Sequence, residues 1–369
     1  MKHKTPPISR YAKLFQLASL LCISFSTPTL HAEQSSEVSE RRIAEYIKWY
    51  PAIEQTEMRD EWLSEYKPGE WQLSGMVTSK DRTVITPQAD VNYGYSWFNV
   101  SKDPVVITMP EYDKYYSISV FDMNHFMEVF VTPNKPVVVR LASQKSPIED
   151  AHEVVLNTYQ GLIFTRQVVV GNEAEVMKLA EKISITGGGG TKPFIVPSFT
   201  KEEAVAGDKV IQEYALKQPG ARRLFGSTNE GVGDLDRAAG VFLGQLGTQA
   251  WTVDYAQYLV DQNGKPLDGS SHYEVVVPAD LPLVKDDKGY WSLTIYSMED
   301  RYLIPNDQNK YVISSYSAEK NEDGSVTISV NPDGKGSNAL PTAGNTFYGV
   351  FRVYQPIENI EFPKLKKIK

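Results

Sequence analysis

Cysteine and histidine are scarce in this chain. Of 369 residues only Cys22 is a cysteine, and it lies within the first 32 residues. The rest of the chain therefore excludes disulfides, thiolate metal ligands and a cysteine nucleophile. After residue 32 the histidines are His125, His152 and His272, in three separate segments. The Glu after His152 is not followed by the second histidine of a zinc-protease helix. We predict no metal and no cofactor.

The first 32 residues are typical of a secretory signal peptide. Four basic residues and no acid precede an apolar run over residues 14–25, which is too short for a membrane span, and Ala32 suits cleavage. We predict a cleaved leader at residues 1–32 and a periplasmic or secreted protein. A lipoprotein anchor at Cys22 is the alternative, which Leu21 disfavours because such a site takes a small residue there. No later segment is predicted to cross a bilayer.

Basic residues are fewer than acidic ones after the predicted leader. Removing the four basic residues of the leader leaves 34 Lys and Arg against 46 Asp and Glu, a net charge of −12. This balance predicts no nucleic-acid partner. Gly-x-Ser-x-Gly is absent, and the glycines at 187–190 lack the Lys-Ser/Thr of a phosphate loop. A serine hydrolase elbow and a nucleotide loop are thus unsupported, and we interpret the four glycines as a flexible boundary.

One nine-residue pattern occurs twice, at residues 115–123 and 290–298. Side chains alternate between the faces of a strand, so each copy has one largely apolar face. These faces comprise Tyr116, Ile118, Val120 and Asp122 in the first copy, and Trp291, Leu293, Ile295 and Ser297 in the second. The repeat predicts two β modules.

The remaining pattern predicts a mainly β protein with a helical segment. Residues 41–66 have apolar residues at helical spacing, with Pro51 interrupting them, which predicts one or two helices. Helices are also predicted at 172–185, 200–218 and 234–258, and strands elsewhere. The predicted domains are a β-sandwich with a leading helix at 38–190, a helical connection at 191–260 and a second β domain at 261–369.

Several blocks resemble the bacterial family that pairs domains of unknown function 1254 and 1214. The blocks lie at 44–51, 86–93, 115–122 and 164–168 for the first domain, and at 268–269, 290–296, 321–325, 338–341 and 352–356 for the second. The resemblance implies an immunoglobulin-like β-sandwich, a helical region and a jelly-roll-like sandwich, and it implies no activity. The segment 88–93 keeps Asp90 and Tyr93 but lacks both asparagines of the family pattern, and 338–341 lacks its tryptophan.

An aromatic cleft is the leading site hypothesis. Tyr93, Tyr95 and Trp97 alternate on one side of a segment that begins beside Asp90. Stacked aromatics with a carboxylate suit a small molecule or a glycan, and they equally suit the edge of a sandwich core. Arg166 interrupts an apolar run, so we expect a carboxylate partner for it, either Asp90 or Asp122. The predicted ligand-binding set is completed by Tyr116, Trp291 and Arg352.

Asp122 and His125 form a second, catalytic hypothesis. A carboxylate at the end of an apolar face has the surroundings that raise a pKa and favour general acid chemistry. The alternative is a turn aspartate that accepts backbone hydrogen bonds. The leading function is an exported envelope protein that binds a small molecule or glycan. The alternatives are a carboxylate-dependent hydrolase or lyase and a homo-oligomeric structural protein.

Overall fold

The computed structural model describes residues 38–82, 85–218, 223–283, 288–357 and 360–368. The predicted leader at 1–32 lies outside these ranges. The described residues form seventeen strands in four sheets, four α-helices and one short 3₁₀ turn. The predicted mainly β fold class is therefore confirmed. The immunoglobulin-like and jelly-roll-like types stay predictions.

The first domain contains two sheets. The five-stranded sheet has the order β1-β2-β8-β4-β5, with β1 Gln72–Met76, β2 Val91–Asn99, β4 Tyr116–Asp122, β5 Met127–Val131 and β8 Gln160–Val168. The four-stranded sheet has the order β7-β6-β3-β9, with β3 Val105–Thr108, β6 Val137–Leu141, β7 His152–Leu156 and β9 Ser184–Gly187. One core contains side chains of both sheets, among them Ile118 and Val137.

The second domain repeats this arrangement with two four-stranded sheets. One has the order β10-β16-β12-β13, with β10 Val253–Tyr258, β12 Tyr290–Ser297, β13 Val312–Ser314 and β16 Phe347–Tyr354. The other has the order β15-β14-β11-β17, with β11 Tyr273–Val277, β14 Val326–Asn331, β15 Ala339–Pro341 and β17 Leu365–Lys367. Their shared core includes Trp291 and Ile328.

A third core joins the two domains. It contains side chains from the five-stranded sheet and from the sheet of β10, β16, β12 and β13, so these two sheets present their second faces to each other. Tyr290 stacks on Tyr354 with ring centroids 4.1 Å apart, and Tyr115 packs edge-on against Tyr354 at 4.7 Å. Tyr115 and Tyr290 are the first residues of the two copies of the repeated nine-residue pattern. The two copies of the repeated pattern therefore lie close together at the domain interface.

The described chain has four helices, α1 Glu40–Trp62, α2 Glu173–Ala180, α3 Lys201–Ala215 and α4 Asp234–Gly244. Helices α1, α3 and α4 pack on one another and contribute to the core between the domains, whereas Ala180 of α2 packs in the core of the first domain. Of the one or two helices predicted over residues 41–66, the structure has one, because α1 continues through Pro51. Proline costs the helix a hydrogen bond. Burial of the α1 face against α3 and α4, through Tyr46, Ile47 and Tyr50, offsets that loss. Helix α3 begins with a capping box, in which the Thr200 hydroxyl accepts from the Glu203 amide at 3.2 Å and the Glu203 carboxylate accepts from the Thr200 amide at 2.9 Å.

Two predicted helices end early and give way to strands. Helix α2 stops at Ala180, and β9 then pairs with β3. Helix α4 stops at Gly244, and β10 forms a six-residue ladder with β16. Apolar residues close in sequence do not distinguish a buried strand from a helix, and the partner strands lie far away in the chain. As a result, β10 belongs to the sheet of the second domain and not to a helical connection.

Candidate functional site

A cavity of about 340 Å³ lies between the two facing sheets. Its walls come from β2, β8, β10 and β16, the loop before β2, the end of α3 and the segment after α4. The polar side chains among its described lining residues are Thr86, Gln88, Tyr93, Arg166, Gln218, Gln245, Tyr255, Gln257, Arg301, Arg352 and Tyr354. This set contains three arginines and no Asp, Glu, Lys or His.

Arg166 supplies the first positive charge of the cavity. It lies on the middle strand β8, opposite Tyr93 of β2 and opposite Ser117 of β4. Only 8% of Arg166 is exposed. Its guanidinium donates to the Leu246 carbonyl and, at 3.4 Å, to the Ser119 hydroxyl. Among the described residues it forms no ion pair, so the prediction that Asp90 or Asp122 neutralises it is wrong.

Arg352 supplies the second positive charge, from the other domain. It lies on β16, opposite Tyr255 of β10 and opposite Ser292 of β12. Its Nη2 donates to the Thr86 carbonyl at 3.1 Å, and only 6% of the residue is exposed. Its Nη1 is buried and has no hydrogen-bond partner within the described chain. A buried charged donor without a partner is costly, which makes it a candidate ligand contact.

The two guanidiniums act on the same tyrosines. Burial raises the pKa of Tyr93 and of Tyr255, and the positive charges of Arg166 and Arg352 oppose that rise in both cases. Each tyrosine therefore lies within electrostatic reach of both arginines. The cavity is a single positive site with a contribution from each domain.

The segment 86–90 fixes the first domain onto the second. The Tyr296 hydroxyl donates to the Pro87 carbonyl at 2.7 Å. Gln88 donates from its side chain to the Ser292 hydroxyl at 2.8 Å, and its backbone amide donates to the Tyr93 hydroxyl at 2.8 Å. These bonds position one wall of the cavity and orient Tyr93.

Asp90 lies behind this wall and does not line the cavity. Gln88 donates to its Oδ1, while its Oδ2 is buried without a partner in the described part of the chain. Burial raises the pKa of Asp90 to about 6, against the opposing effects of Gln88 and of Arg352. Asp90 is thus within reach of the charge of Arg352, although the two side chains form no ion pair.

His125 holds the opposite wall and does not touch the cavity. It lies in the left-handed region at φ 64°, and its Nε2 accepts from the Leu246 amide at 3.2 Å. Burial, followed by the charge of Arg237, lowers the pKa of His125 to about 3. The ring is therefore neutral and acts as an acceptor. The backbone of Leu246 is thus fixed at two atoms, because its amide donates to His125 and its carbonyl accepts from Arg166.

Asp122 is a turn aspartate. Its Oδ1 accepts from the Asn124 amide at 2.8 Å and from the Phe126 amide at 3.0 Å. Burial raises the pKa of Asp122 to about 6, and these two backbone bonds oppose the rise. The carboxylate does not line the cavity. Of the two interpretations of Asp122, the structure favours the structural one.

The other predicted aromatics lie in packed cores. Tyr95 and Trp97 face the end of α1, with ring centroids 4.6 Å and 6.1 Å from Trp62. Tyr116 lies in the core of the first domain, and Trp291 stacks on Phe351 in that of the second. Of the ten predicted site residues, the cavity brings together Tyr93, Arg166 and Arg352.

Several lining residues were missed by the sequence analysis. Tyr255 fell in a segment predicted to be helical, and its strand β10 has no regular alternation of buried and exposed residues that would have marked it. Phe164 lies two residues before Arg166 on the same face, and its ring contacts that guanidinium at 4.8 Å. The loop 245–247 gave no signal in the sequence, because its role depends on packing between distant segments.

Fold and cavity together define a two-domain, mainly β protein with a positively charged pocket between its domains. Two family descriptions match the chain, protein of unknown function DUF1254 at residues 71–187 and protein of unknown function DUF1214 at residues 252–358. The chain belongs to the bacterial family that pairs these two domains in this order.

Solved structures share the fold. A protein from Vibrio parahaemolyticus is 20% identical with a TM-score of 0.71, over 89% of this chain and 99% of its own. An uncharacterized protein from Burkholderia cenocepacia is 12% identical with a TM-score of 0.51, over 91% of this chain and 92% of its own. At these identities the similarity shows the fold alone. No curated protein matches the chain.

Proposed function

We propose that the protein binds a small organic molecule with an acid group in the cavity between its domains. The observation that carries this proposal is the presence of two buried arginines in one cavity whose described lining has no carboxylate. Charged side chains are rarely buried without a partner, because desolvation costs several kcal/mol. An anionic ligand would supply that partner through charge-assisted hydrogen bonds.

The remaining walls indicate the rest of the ligand. Aromatic and aliphatic side chains surround the arginines, among them Phe164, Phe225, Leu246 and Val350. A volume of about 340 Å³ lies near the lower end of ordinary ligand pockets, which span roughly 300 to 1,000 Å³. These features favour a metabolite-sized acid with a short apolar part over the glycan chain of the initial hypothesis.

The enzyme alternative gains no support from its proposed residues. Asp122 holds a turn, and His125 holds the cavity wall at Leu246. Neither side chain lines the cavity. We therefore propose binding without assigning a reaction.

The proposed location is outside the cytoplasm. Its support is the composition of residues 1–32, with basic residues before an apolar run. Within the described ranges, no helix is both long enough and apolar enough to cross a membrane.

Titration calorimetry with pentanoate and pentanamide tests the binding proposal. The two probes have the same chain length, and only pentanoate carries a charge. We expect pentanoate to bind at least about tenfold more tightly, because a hydrogen bond to a charged group contributes about 1.5–3 kcal/mol. Equal affinity for the two probes, or binding of neither, would contradict the proposal.

A variant pair locates the site. Substituting both arginines in one variant, Arg166→Met with Arg352→Met, should abolish the preference for pentanoate, because either guanidinium alone can still bind its carboxylate. Arg140→Met is the matched control, because Arg140 pairs with Glu153 on the outer sheet of the first domain, away from the cavity. The control should bind pentanoate as the parent chain does. Equal loss in both variants would place the anion outside the cavity.

A further inference from the structure

The polar surroundings of the two arginines are repeated. In the first domain one row across the sheet is Tyr93, Arg166 and Ser117. In the second domain the corresponding row is Tyr255, Arg352 and Ser292. Each row thus contains, in order, a tyrosine, a central arginine and a serine. We call these the first and second rungs.

The internal repeat relates the rungs. Ser117 is the third residue of the first copy of the repeated pattern, and Ser292 is the third residue of the second copy. Both serines lie on the face opposite the apolar face that the repeat presents to its own core. Residues directly opposite in neighbouring strands point to the same side of a sheet. Each rung therefore directs its arginine toward the space between the domains.

The arginine of each rung can still bind an anion. Arg352 has a buried Nη1 without a partner, and Arg166 has no ion pair within the described chain. Asp90 is within reach of the charge of Arg352, but it lies behind the wall and does not enter the cavity. Two like charges facing one small cavity repel each other, and a single monovalent anion leaves one of them without a partner.

We propose that the ligand carries two acid groups, one bound at each rung, so that the ligand class is a short dicarboxylate. This inference rests on the proposed function, because it assigns both ends of a ligand to the same cavity. One carboxylate pairs with Arg166 beside Tyr93. The other pairs with Arg352 beside Tyr255. The carbon chain between them contacts the apolar walls.

Matched acids test the proposal on the full chain. Titration calorimetry compares three pairs of equal chain length: succinate with butanoate, glutarate with pentanoate, and adipate with hexanoate. We expect at least one dicarboxylate to bind about tenfold or more tightly than its monocarboxylate, because the second acid adds another charge-assisted contact. The preferred length then measures the separation of the rungs.

Two substitutions separate the rungs. Arg166→Met and Arg352→Met should each reduce the affinity for the preferred dicarboxylate to within about threefold of the monocarboxylate, and Arg140→Met should leave it unchanged. If a variant fails to fold, the three pairs on the parent chain still decide the question.

The outcomes distinguish the two proposals. Monocarboxylate binding with no gain for any dicarboxylate would overturn the two-rung inference and leave the proposed function intact. Binding of no acid in any pair would overturn both. A gain that survives both arginine substitutions would place the second acid elsewhere and would also overturn the inference.

Discussion

Acidification should make the contribution of one buried histidine to folding less favourable. Burial, then the charge of Arg237, lowers the pKa of His125 to about 3 from the ordinary 6.5. A base with a lowered pKa stabilises the folded state above the unfolded pKa, and this contribution is lost as the pH falls toward the folded pKa. The pH range in which His125 changes the stability of the fold therefore extends from about 6.5 down to about 3.

The size of the effect follows from these two pKa values. At about pH 5 an unfolded histidine is mostly protonated, whereas folded His125 is not. Linkage then removes about 2 kcal/mol of stability between about pH 7 and pH 5. Asp90 and Asp122 act in the opposite direction, because a pKa of about 6 lets them bind protons in the folded state first. Their effect cancels when two variants that both retain them are compared.

The assay is urea unfolding followed by tryptophan fluorescence at the two pH values. His125→Asn is the test variant, since asparagine tolerates the left-handed backbone of this position. We expect acidification to change the free energy of unfolding of this variant by about 2 kcal/mol more in the stabilising direction than that of the parent chain. His272→Asn is the control, because its ring is exposed to water in the folded chain. The same pH-induced change in the parent chain and in His125→Asn would refute a neutral, buried His125.

Three further predictions concern stability and packing. Without ligand, Arg352→Met should raise the free energy of unfolding by about 1–2 kcal/mol in urea titrations, because it removes a buried donor without a partner, and a decrease would contradict that cost. Gly269→Ala should lower the free energy of unfolding by about 3 kcal/mol or more, because the added methyl group overlaps the carbonyl oxygen of Asn345. Gly244→Ala is the control: the space around Gly244 is open, so the free energy of unfolding should change by less than about 1 kcal/mol. Trp291→Ala should lower the free energy of unfolding by about 3–5 kcal/mol and leave acid binding unchanged, because Trp291 lies in the core of the second domain. A loss of affinity for the acid in the folded variant would refute this prediction.

Local periodicity predicted much of the fold. The apolar faces of the repeated strands identified the cores of both domains, as Ile118 and Leu293 illustrate. The opposite faces carry small polar residues such as Ser117 and Ser292, which are typical of a solvated face. The structure buries them because a second sheet covers them. No pattern within one strand records the presence of that second sheet.

The candidate site was predicted in part, for a similar reason. Arg166 stood out as a charge inside an apolar run, and Arg352 has the same character. Tyr255 did not stand out, because its importance comes from lying opposite Arg352 in the register of two distant strands. Asp122 drew attention as a buried acid, and only the structure shows the backbone amides of Asn124 and Phe126 that it binds.

The shared core of the two domains limits how this chain can be divided into shorter ones. Tyr115 and Tyr354 pack together across the boundary, and each domain contributes one rung to one cavity. A shorter gene that encodes either half alone would yield a chain with a bare aromatic sheet face and half a pocket. Such a chain would need a separately encoded complementary half, or a second copy of itself, to cover that face. The smallest unit that buries this aromatic face within one chain is thus the pair of domains.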